Sequence, residues 1–423
     1  MLKGSSFRFL NKKTLFLLAI AVVVRMILMP ITLHPDLLGH SFSAYFFAYE
    51  GKFNLYDTLA NLSPTHPLVK NFGISDIFIY PPLTYYTLGI FRILVKPFTD
   101  PNFIPWLMEN LSLIHSYPNL GKHLFFFKLP YLFFDIGVAF LLAGLFREEK
   151  KKNAAFLLWL FNPLAIYTSF MMGQLDLLPT FFTVLSLYFF QKKRFNLSVF
   201  MMGVAASYKM YPLFLLLPLV FLLTDKFRER IKLAIIGIFP FLLFIAPYLG
   251  SSAFRAMVFS PKSQKMLFMG WALSGAEVVY PFVLFLTIIH FLAFYTKKKL
   301  SPSIYFLAVL LLTFSVTHFH PQWFLWVTPF LIWELVENDY RHLVLTLAIS
   351  SCWLALTLLF EPSLSFGLFN PINPQLEKAV GFSEILGRYT DVFQLKSLIR
   401  SFLAGTSAFL IFKLFAANKE HGF

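Results

Sequence analysis

Apolar blocks of roughly 20 residues recur from one end of this 423-residue chain to the other, with short polar breaks between them. A helix of about that length crosses the hydrocarbon core of a bilayer. Hydrophobic residues make up 58% of the chain and charged residues only 13%, about half the charged share of a soluble globular domain. A soluble protein is therefore excluded. The sequence predicts an all-α, polytopic membrane protein with one integral-membrane domain over residues 1–423.

We predict about twelve transmembrane helices, with ends that hydropathy places only approximately. The first apolar block follows four basic residues like a signal peptide, but Arg25 interrupts it and no small-residue cleavage site follows, so we interpret it as a retained span. The predicted spans are residues 14–32, 123–146, 154–169, 177–190, 196–206, 213–224, 233–249, 278–296, 303–316, 323–336, 343–360 and 396–415.

Lysine and arginine are concentrated in alternate loops. The segments on one face hold 20 Lys and Arg among 50 residues, whereas those on the opposite face hold 11 among 171. Because basic loops stay in the cytoplasm, the dense face is predicted to be cytoplasmic, together with both termini. The dense segments are residues 1–13, 147–153, 191–195, 225–232, 297–299, 337–342 and 416–423.

Residues 33–122 form a long first loop on the outer face, and residues 361–395 form a second. A helix beginning at Pro82 and ending by Lys96 has about 15 residues and spans about 22 Å, which is short of a ~30 Å hydrocarbon core. We therefore predict interfacial helices in the first loop rather than a further crossing.

Two other features of composition limit the function. The net charge is +15, but the basic residues lie in loops rather than in a stripe with stacking aromatics, so no nucleic-acid partner is predicted. The single cysteine, Cys352, lies in an apolar stretch and excludes an intramolecular disulfide framework.

Polar residues without an obvious structural reason gather on the outer face. Asp36, in His34-Pro35-Asp36, follows the first span directly and is a candidate general base for a hydroxyl acceptor. The alternative is a solvated turn. Asp176, in Gly173-Gln174-Leu175-Asp176, lies at a tight outer connection and is either a site residue or a helix cap.

Four cationic or ionisable groups are candidates for contact with a phosphate. Lys209 stands alone in an outer hairpin, where it contacts a phosphate or extends to the membrane interface. His318 and His320 stand two residues apart, a spacing that suits hydrogen bonding to an anion better than a metal site, with Trp323 and Trp326 as interfacial anchors. Arg388 is either a bidentate phosphate ligand or part of a rim ion pair.

Two charges fall at mid-depth instead. Arg25 lies near the middle of the first predicted span and Asp135 near the middle of the next. An unpaired charge in lipid costs a few kcal/mol, so we predict that they pair in a structural network.

Taken together, these motifs resemble the GT-C membrane glycosyltransferases that use polyprenyl-phosphate sugars, including bacterial mannosyltransferases and dolichyl-phosphate-glucose glucosyltransferases. The resemblance covers roughly residues 14–340. It is carried by Asp36, the long first loop and the motifs Tyr80-Pro-Pro-Leu-Thr-Tyr, Asn162-Pro, Gly173-Gln-Leu-Asp176, Tyr208-Lys-Met-Tyr-Pro212 and His320-Pro-Gln-Trp323.

The resemblance implies an inverting transfer of mannose or glucose from a polyprenyl-phosphate donor to a glycolipid or glycan acceptor. It makes Asp36 the base, and it leads us to expect substrate contacts from Tyr80, Gln174, Asp176 and Gln322. The chain has Leu-Leu-Gly-His40 after Asp36, where many relatives have a second acid or an aromatic residue. A soluble nucleotide-sugar domain has no room in the chain, and we expect neither an obligatory metal nor a cofactor.

Two alternatives stay open. The number of spans also suits a flippase for lipid-linked sugars or a transporter, although the polar groups lie at one face rather than at the midplane. A ligase that moves whole oligosaccharides would use the same lipid carrier. The membrane is expected to be the plasma membrane in a prokaryote and the endoplasmic reticulum in a eukaryote, with the site away from the cytosol.

Overall fold

The computed structural model describes residues 9–72, 77–259, 266–296 and 300–420. Helices dominate these residues, and the all-α prediction is confirmed. A small antiparallel hairpin pairs Trp271–Ala272 with Val278–Val279, with Trp271 opposite Val279. Several basic residues that contributed to the predicted orientation lie outside the described residues. They are Lys3, Arg8, Lys297, Lys298 and Lys299.

Each of the twelve predicted spans corresponds to a helical segment. The largest shift is at the seventh, which begins at Phe227 rather than at residue 233. Within the described ranges, four helices are long and apolar enough to cross a membrane by themselves: Lys12–Ile31, Leu120–Gly144, Phe227–Tyr248 and Val392–Ala416. The third predicted span is a pair, Glu149–Leu160 and Pro163–Met171, with a 42° bend.

The remaining spans are shorter than a standard crossing. Four of them begin with proline, which fits the first position of a helix because its missing N–H has no intrahelical partner there. The shorter segments are Leu177–Gln191, Phe195–Ala206, Pro212–Leu223, Pro281–Tyr295, Pro302–Val316 and Leu343–Leu358, together with the short 3₁₀ helix Pro321–Trp326 that leads into Thr328–Glu337.

The first predicted outer loop is folded into short helices. Its helix Leu83–Val95 lies where the sequence predicts one, between Pro82 and Lys96. The other helical segments of the loop are Pro35–Ala48, Leu55–Ala60, Pro67–Phe72, Lys96–Phe98, Phe103–Glu109 and Leu111–Ser116. The second predicted outer loop contains Pro362–Leu364, Phe366–Phe369, Pro374–Lys378 and Phe382–Leu386.

Two hydrophobic cores result from this arrangement. The larger is built from the apolar spans, with Leu120–Gly144 packed against Lys12–Ile31, Glu149–Leu160 and Leu177–Gln191. The last helix, Val392–Glu420, packs on Pro302–Val316 and on Leu343–Leu358. The smaller core joins the first loop to residues 241–258, and Tyr80, one of the predicted site residues, packs against both cores.

Candidate functional site

Asp36 opens the first helix of the long loop. Pro35 takes the first helical position, and His34 caps the helix by accepting a hydrogen bond from the Asp36 backbone N–H at its Nδ1. The Gln174 side-chain amide donates a 2.7 Å hydrogen bond to Asp36 Oδ2. The Asp36 side chain nevertheless keeps 42% of its surface accessible. One carboxylate oxygen is therefore held in place while the group stays open to a substrate.

The surroundings of Asp36 keep its carboxyl ionised. Burial works to raise the pKa of Asp36, but the nearby His34 and His40 and the hydrogen bond from Gln174 outweigh that effect and lower the pKa below its ordinary value. His40 lies one turn further along the same helix, and burial lowers its pKa to about 4, so it is neutral near pH 7. The ionised form is the one that a general base requires.

Gln174 is positioned by an irregular connection. The helix Glu149–Leu160 ends at Phe161, Asn162 caps the next short helix, and a π-helix follows over Tyr167–Met171. Gly173 then adopts a φ of +73°, a left-handed conformation that glycine takes without strain. Gln174 is fully buried, and its backbone N–H donates to the Thr168 carbonyl.

Lys209 and Asp176 form a buried ion pair. The Lys209 ammonium lies 2.7 Å from Asp176 Oδ1, with 13% of the lysine side chain and none of the aspartate side chain exposed. The Trp326 indole N–H donates to the same oxygen. Burial lowers the pKa of Lys209, and Asp176 opposes that shift. Lys209 is the single charge of its own hairpin, and Asp176 from a different connection neutralises it.

Three aromatic rings cover the Lys209 ammonium. Their centroids lie 5.3 Å away for Tyr80, 5.3 Å for Trp323 and 4.9 Å for Trp326. Both tryptophans are buried, so they pack over this lysine instead of anchoring the protein at the membrane interface. The sequence offered no direct signal for this enclosure, since tryptophan after an outer loop is also typical of an interfacial belt.

The two histidines of the Thr317–Trp323 segment face different groups. His320 lies beside Trp323, and its pKa is lowered by burial and by Lys209 against the opposing charges of Asp36 and Asp176. His318 instead accepts at Nδ1 from Arg400, at 3.4 Å. Gln322 is buried in the same segment.

Arg388 is placed apart from these groups. It follows the helix Phe382–Leu386 and is exposed, and no contact of the described residues joins it to Asp36, Lys209 or His320. Within the described ranges, no group of three His, Cys, Asp or Glu side chains could hold a metal ion.

A cavity of about 340 Å³ adjoins the ion pair. Its walls are largely apolar, and Lys209, Tyr80, Tyr211 and Thr313 are lining residues with polar side chains. The apolar lining residues are Ile79, Pro81, Met210, Leu213, Phe214, Phe259, Leu267, Phe268 and Leu310. The shape and lining suit an apolar chain whose polar head reaches the charged residues.

Lys128 is a buried residue to which the sequence assigned no role. Its ammonium is fully buried and donates to the carbonyls of Met29, Thr32 and Met171 and to the Thr32 hydroxyl, at 2.6–3.1 Å. These oxygens belong to the end of the first helix and to the π-helix before Gly173. Lys128 thus ties together the two segments that carry Asp36 and Gln174.

Arg25 and Asp135 pair at mid-depth. Arg25 Nε lies 2.7 Å from Asp135 Oδ2, and both side chains are fully buried. Trp159 donates its indole N–H to Asp135 Oδ1 at 3.0 Å, and Arg25 Nη1 donates to the Ala21 carbonyl. The partners in these three interactions all belong to helices of the bundle.

The fold and this group of residues define a polytopic membrane protein related to the GT-C glycosyltransferases. The model of the family described as GPI transamidase subunit PIG-U matches residues 96–326, more than half of the chain, and the chain belongs to this family. GPI mannosyltransferase 1 of Dictyostelium discoideum is 29% identical over 119 residues, which are 27% of this chain and 27% of that protein. The alignment thus spans about a quarter of that relative. The chain is an integral membrane protein related to the GPI pathway.

Proposed function

We propose that this protein is an integral membrane hexosyltransferase. It moves mannose or glucose from a polyprenyl-phosphate donor to a hydroxyl of a glycolipid or glycan acceptor, with inversion at the anomeric carbon. The observation that carries the proposal is the open, ionised Asp36 carboxylate held by Gln174 beside the Lys209–Asp176 pair and its apolar cavity.

In the proposed reaction, Asp36 removes the proton from the acceptor hydroxyl as its oxygen bonds to the anomeric carbon. The bond from that carbon to the phosphate oxygen breaks, and its electron pair leaves with the polyprenyl phosphate. Such a leaving group already bears charge and needs a cationic or hydrogen-bonding environment rather than a general acid. We propose that His320 and Lys209 provide this environment for the leaving phosphate.

The cavity supports a lipid-linked donor. Its apolar walls would hold the first part of a polyprenyl chain, and its polar end lies at Lys209 and Tyr80. Because Asp176 neutralises Lys209, the pair would offer the phosphate a directed ammonium hydrogen bond rather than a free positive charge. Gln174, Tyr80 and Gln322 remain candidates for contact with the sugar, and we place the site on the extracytoplasmic face.

The direct test is transfer of labelled hexose from a polyprenyl-phosphate monosaccharide by the purified protein. Asp36→Asn is expected to lower the rate by about 10²–10⁴-fold, because general-base catalysis typically contributes that much. Asp100→Asn is the matched control, since Asp100 lies on the same loop in an exposed hydrogen bond to Tyr117. Full activity of Asp36→Asn would exclude the assigned mechanism.

The family name supports a second candidate function. Its matched model is described as a transamidase subunit, and the match begins at residue 96, beyond Asp36. In that case the same cavity would bind a GPI-type glycolipid for a partner enzyme without forming a glycosidic bond. Stable capture of such lipids by the wild-type protein, without turnover of any polyprenyl-phosphate hexose, would favour this candidate. Movement of a lipid-linked sugar across proteoliposomes without a new bond would instead favour a flippase.

A further inference from the structure

A second basic group lies beside the candidate site, at the start of the last helix. Lys396 and Arg400 are one turn apart on Val392–Glu420, so both side chains extend from one face of that helix. Arg400 reaches His318 Nδ1 at 3.4 Å, and its guanidinium carbon lies 4.9 Å from the centroid of the Phe319 ring. Lys396 lies over Phe360 and Phe393, at 5.4 and 5.7 Å.

No carboxylate balances these two charges among the residues that the structure describes. Lys209 has Asp176, and Arg25 has Asp135, but no described Asp or Glu forms an ion pair with Lys396 or Arg400. The nearby Asp391 accepts from the backbone N–H groups of Phe393 and Gln394 and so caps the helix. The basic pair is therefore a group of two positive charges next to the site that has no carboxylate partner among the described residues.

The position of Arg400 differs from that of a basic residue at a helix end whose charge simply reaches interfacial water. Arg400 is partly buried and lies against Phe319, which is 1% exposed. Burial and the charge of Arg400 lower the pKa of His318 to about 4, so His318 is a neutral acceptor near pH 7 and does not compete for an anion. Among the described residues this partly buried guanidinium makes one long side-chain hydrogen bond, and an anion that completed its contacts would stabilise it.

The basic pair is connected to the candidate site through aromatic side chains. The ring centroids of His318 and His320 are 5.7 Å apart, those of His320 and Trp323 are 5.3 Å apart, and Trp323 covers Lys209. Neither Lys396 nor Arg400 lines the cavity that adjoins Lys209. The basic pair is thus separate from the lining of that cavity and is connected to it through His318, His320 and Trp323.

We infer that Lys396 and Arg400 bind the phosphate of an anionic lipid acceptor, while the donor occupies the cavity beside Lys209. Arginine offers two parallel N–H donors to phosphate oxygens, and lysine adds a point charge. An acceptor held there would present its sugar hydroxyl towards His320 and Asp36. The choice of an acceptor rests on the proposed transferase function, whereas binding of a lipid phosphate to this pair does not.

The test measures binding of two soluble lipids to the full-length protein in detergent: dioctanoyl phosphatidylinositol and farnesyl phosphate. Arg400→Gln and Lys396→Gln are each expected to weaken phosphatidylinositol binding about tenfold or more, and to change farnesyl phosphate binding less than about twofold. Lys413→Gln is the matched control, because Lys413 lies on the same helix over Phe409 and away from the pair. Dioctanoylglycerol tests whether the phosphate is required.

Each outcome has a defined meaning. Equal loss of farnesyl phosphate binding would assign the pair to the donor and overturn the acceptor assignment. Unchanged phosphatidylinositol binding in both variants, or equal binding of the uncharged diacylglycerol, would overturn the anion site itself. If Arg400→Gln fails to fold by gel filtration, Lys396→Gln alone decides. Binding measured on Asp36→Asn separates this inference from the transferase proposal, because it needs no turnover.

Discussion

The charged side chains in this protein have different partners. Those partners indicate which charges stabilise the fold and which are available to a substrate. Arg25 and Asp135 satisfy one another inside the bundle, with Trp159 donating to the aspartate. Lys209 and Asp176 also pair, but beside a cavity and under three aromatic rings. Asp36 accepts a hydrogen bond from the Gln174 amide, has His34 Nδ1 at 3.7 Å, and keeps 42% of its side chain accessible. The first pair is suited to stability and the open carboxylate to catalysis.

The Arg25–Asp135 pair gives a prediction at this scale. Asp135→Ala leaves a buried guanidinium without its anion, and we expect a loss of about 3–5 kcal/mol in the free energy of unfolding. The double variant Arg25→Met, Asp135→Leu removes both charges and is expected to recover most of that loss. Thermal unfolding in detergent and folded yield measure both effects. Unchanged stability of Asp135→Ala would contradict a structural role for the pair.

At the residue scale, the sequence predicted single polar residues better than their partners. Arg25 and Asp135 could be matched because opposite charges at the same depth of neighbouring spans leave few alternatives. Lys209 could not be matched to Asp176, since the order of packing of the short spans is not encoded in hydropathy. Arg400 also escaped notice, because a basic residue near a span end has an ordinary interfacial explanation.

At the scale of secondary structure, the break in the third span does most to shape the site. Asn162 and Pro163 end one helix and start another, and the π-helix that follows leads to the left-handed Gly173. Hydropathy predicted a continuous span over residues 154–169, because apolar residues continue through the bend. The Asn-Pro pair was visible in the sequence, but the 42° change of direction depends on what packs around it.

Gly173 provides the test at this scale. A Cβ at this position would lie 2.9 Å from Leu37 Cδ1, on a backbone with φ +73°. Gly173→Ala is therefore expected to cost more than about 1 kcal/mol of stability and to displace Gln174 from Asp36. Gly405→Ala is the control, since a Cβ there meets open space within a helix, and it is expected to be neutral or stabilising. Equal effects of the two substitutions on unfolding would contradict this account of the turn.

In the molecule as a whole, the connections that the sequence predicts on one face contribute their polar side chains to a single cluster. Asp36, Gln174, Lys209 and His320 come from four different connections between spans, and they converge at one end of the bundle. Such convergence follows if those connections share a face, which is what the alternation of basic loops predicts. The packing of the described part of residues 33–122 into a second core was beyond sequence reasoning, because it depends on contacts with residues 241–258, far along the chain.

The orientation of the molecule in its membrane can be tested with single cysteines. Cys352 is buried, so Cys352→Ala gives a cysteine-free background with little disturbance of the surface.

Four exposed positions are suited to labelling in that background. Glu50→Cys and Asp100→Cys lie on the first loop, and Lys192→Cys and Arg228→Cys lie on the basic face. In intact cells or sealed vesicles of known sidedness, a membrane-impermeant maleimide should label the first two from the extracytoplasmic side. It should reach the other two only after detergent is added, because basic loops resist translocation. Labelling of residues 50 and 100 from the cytosol would place Asp36 on the wrong side for an acceptor presented outside. Labelling of all four from one side would contradict the odd number of predicted crossings, three or five, that separate the first loop from residues 192 and 228.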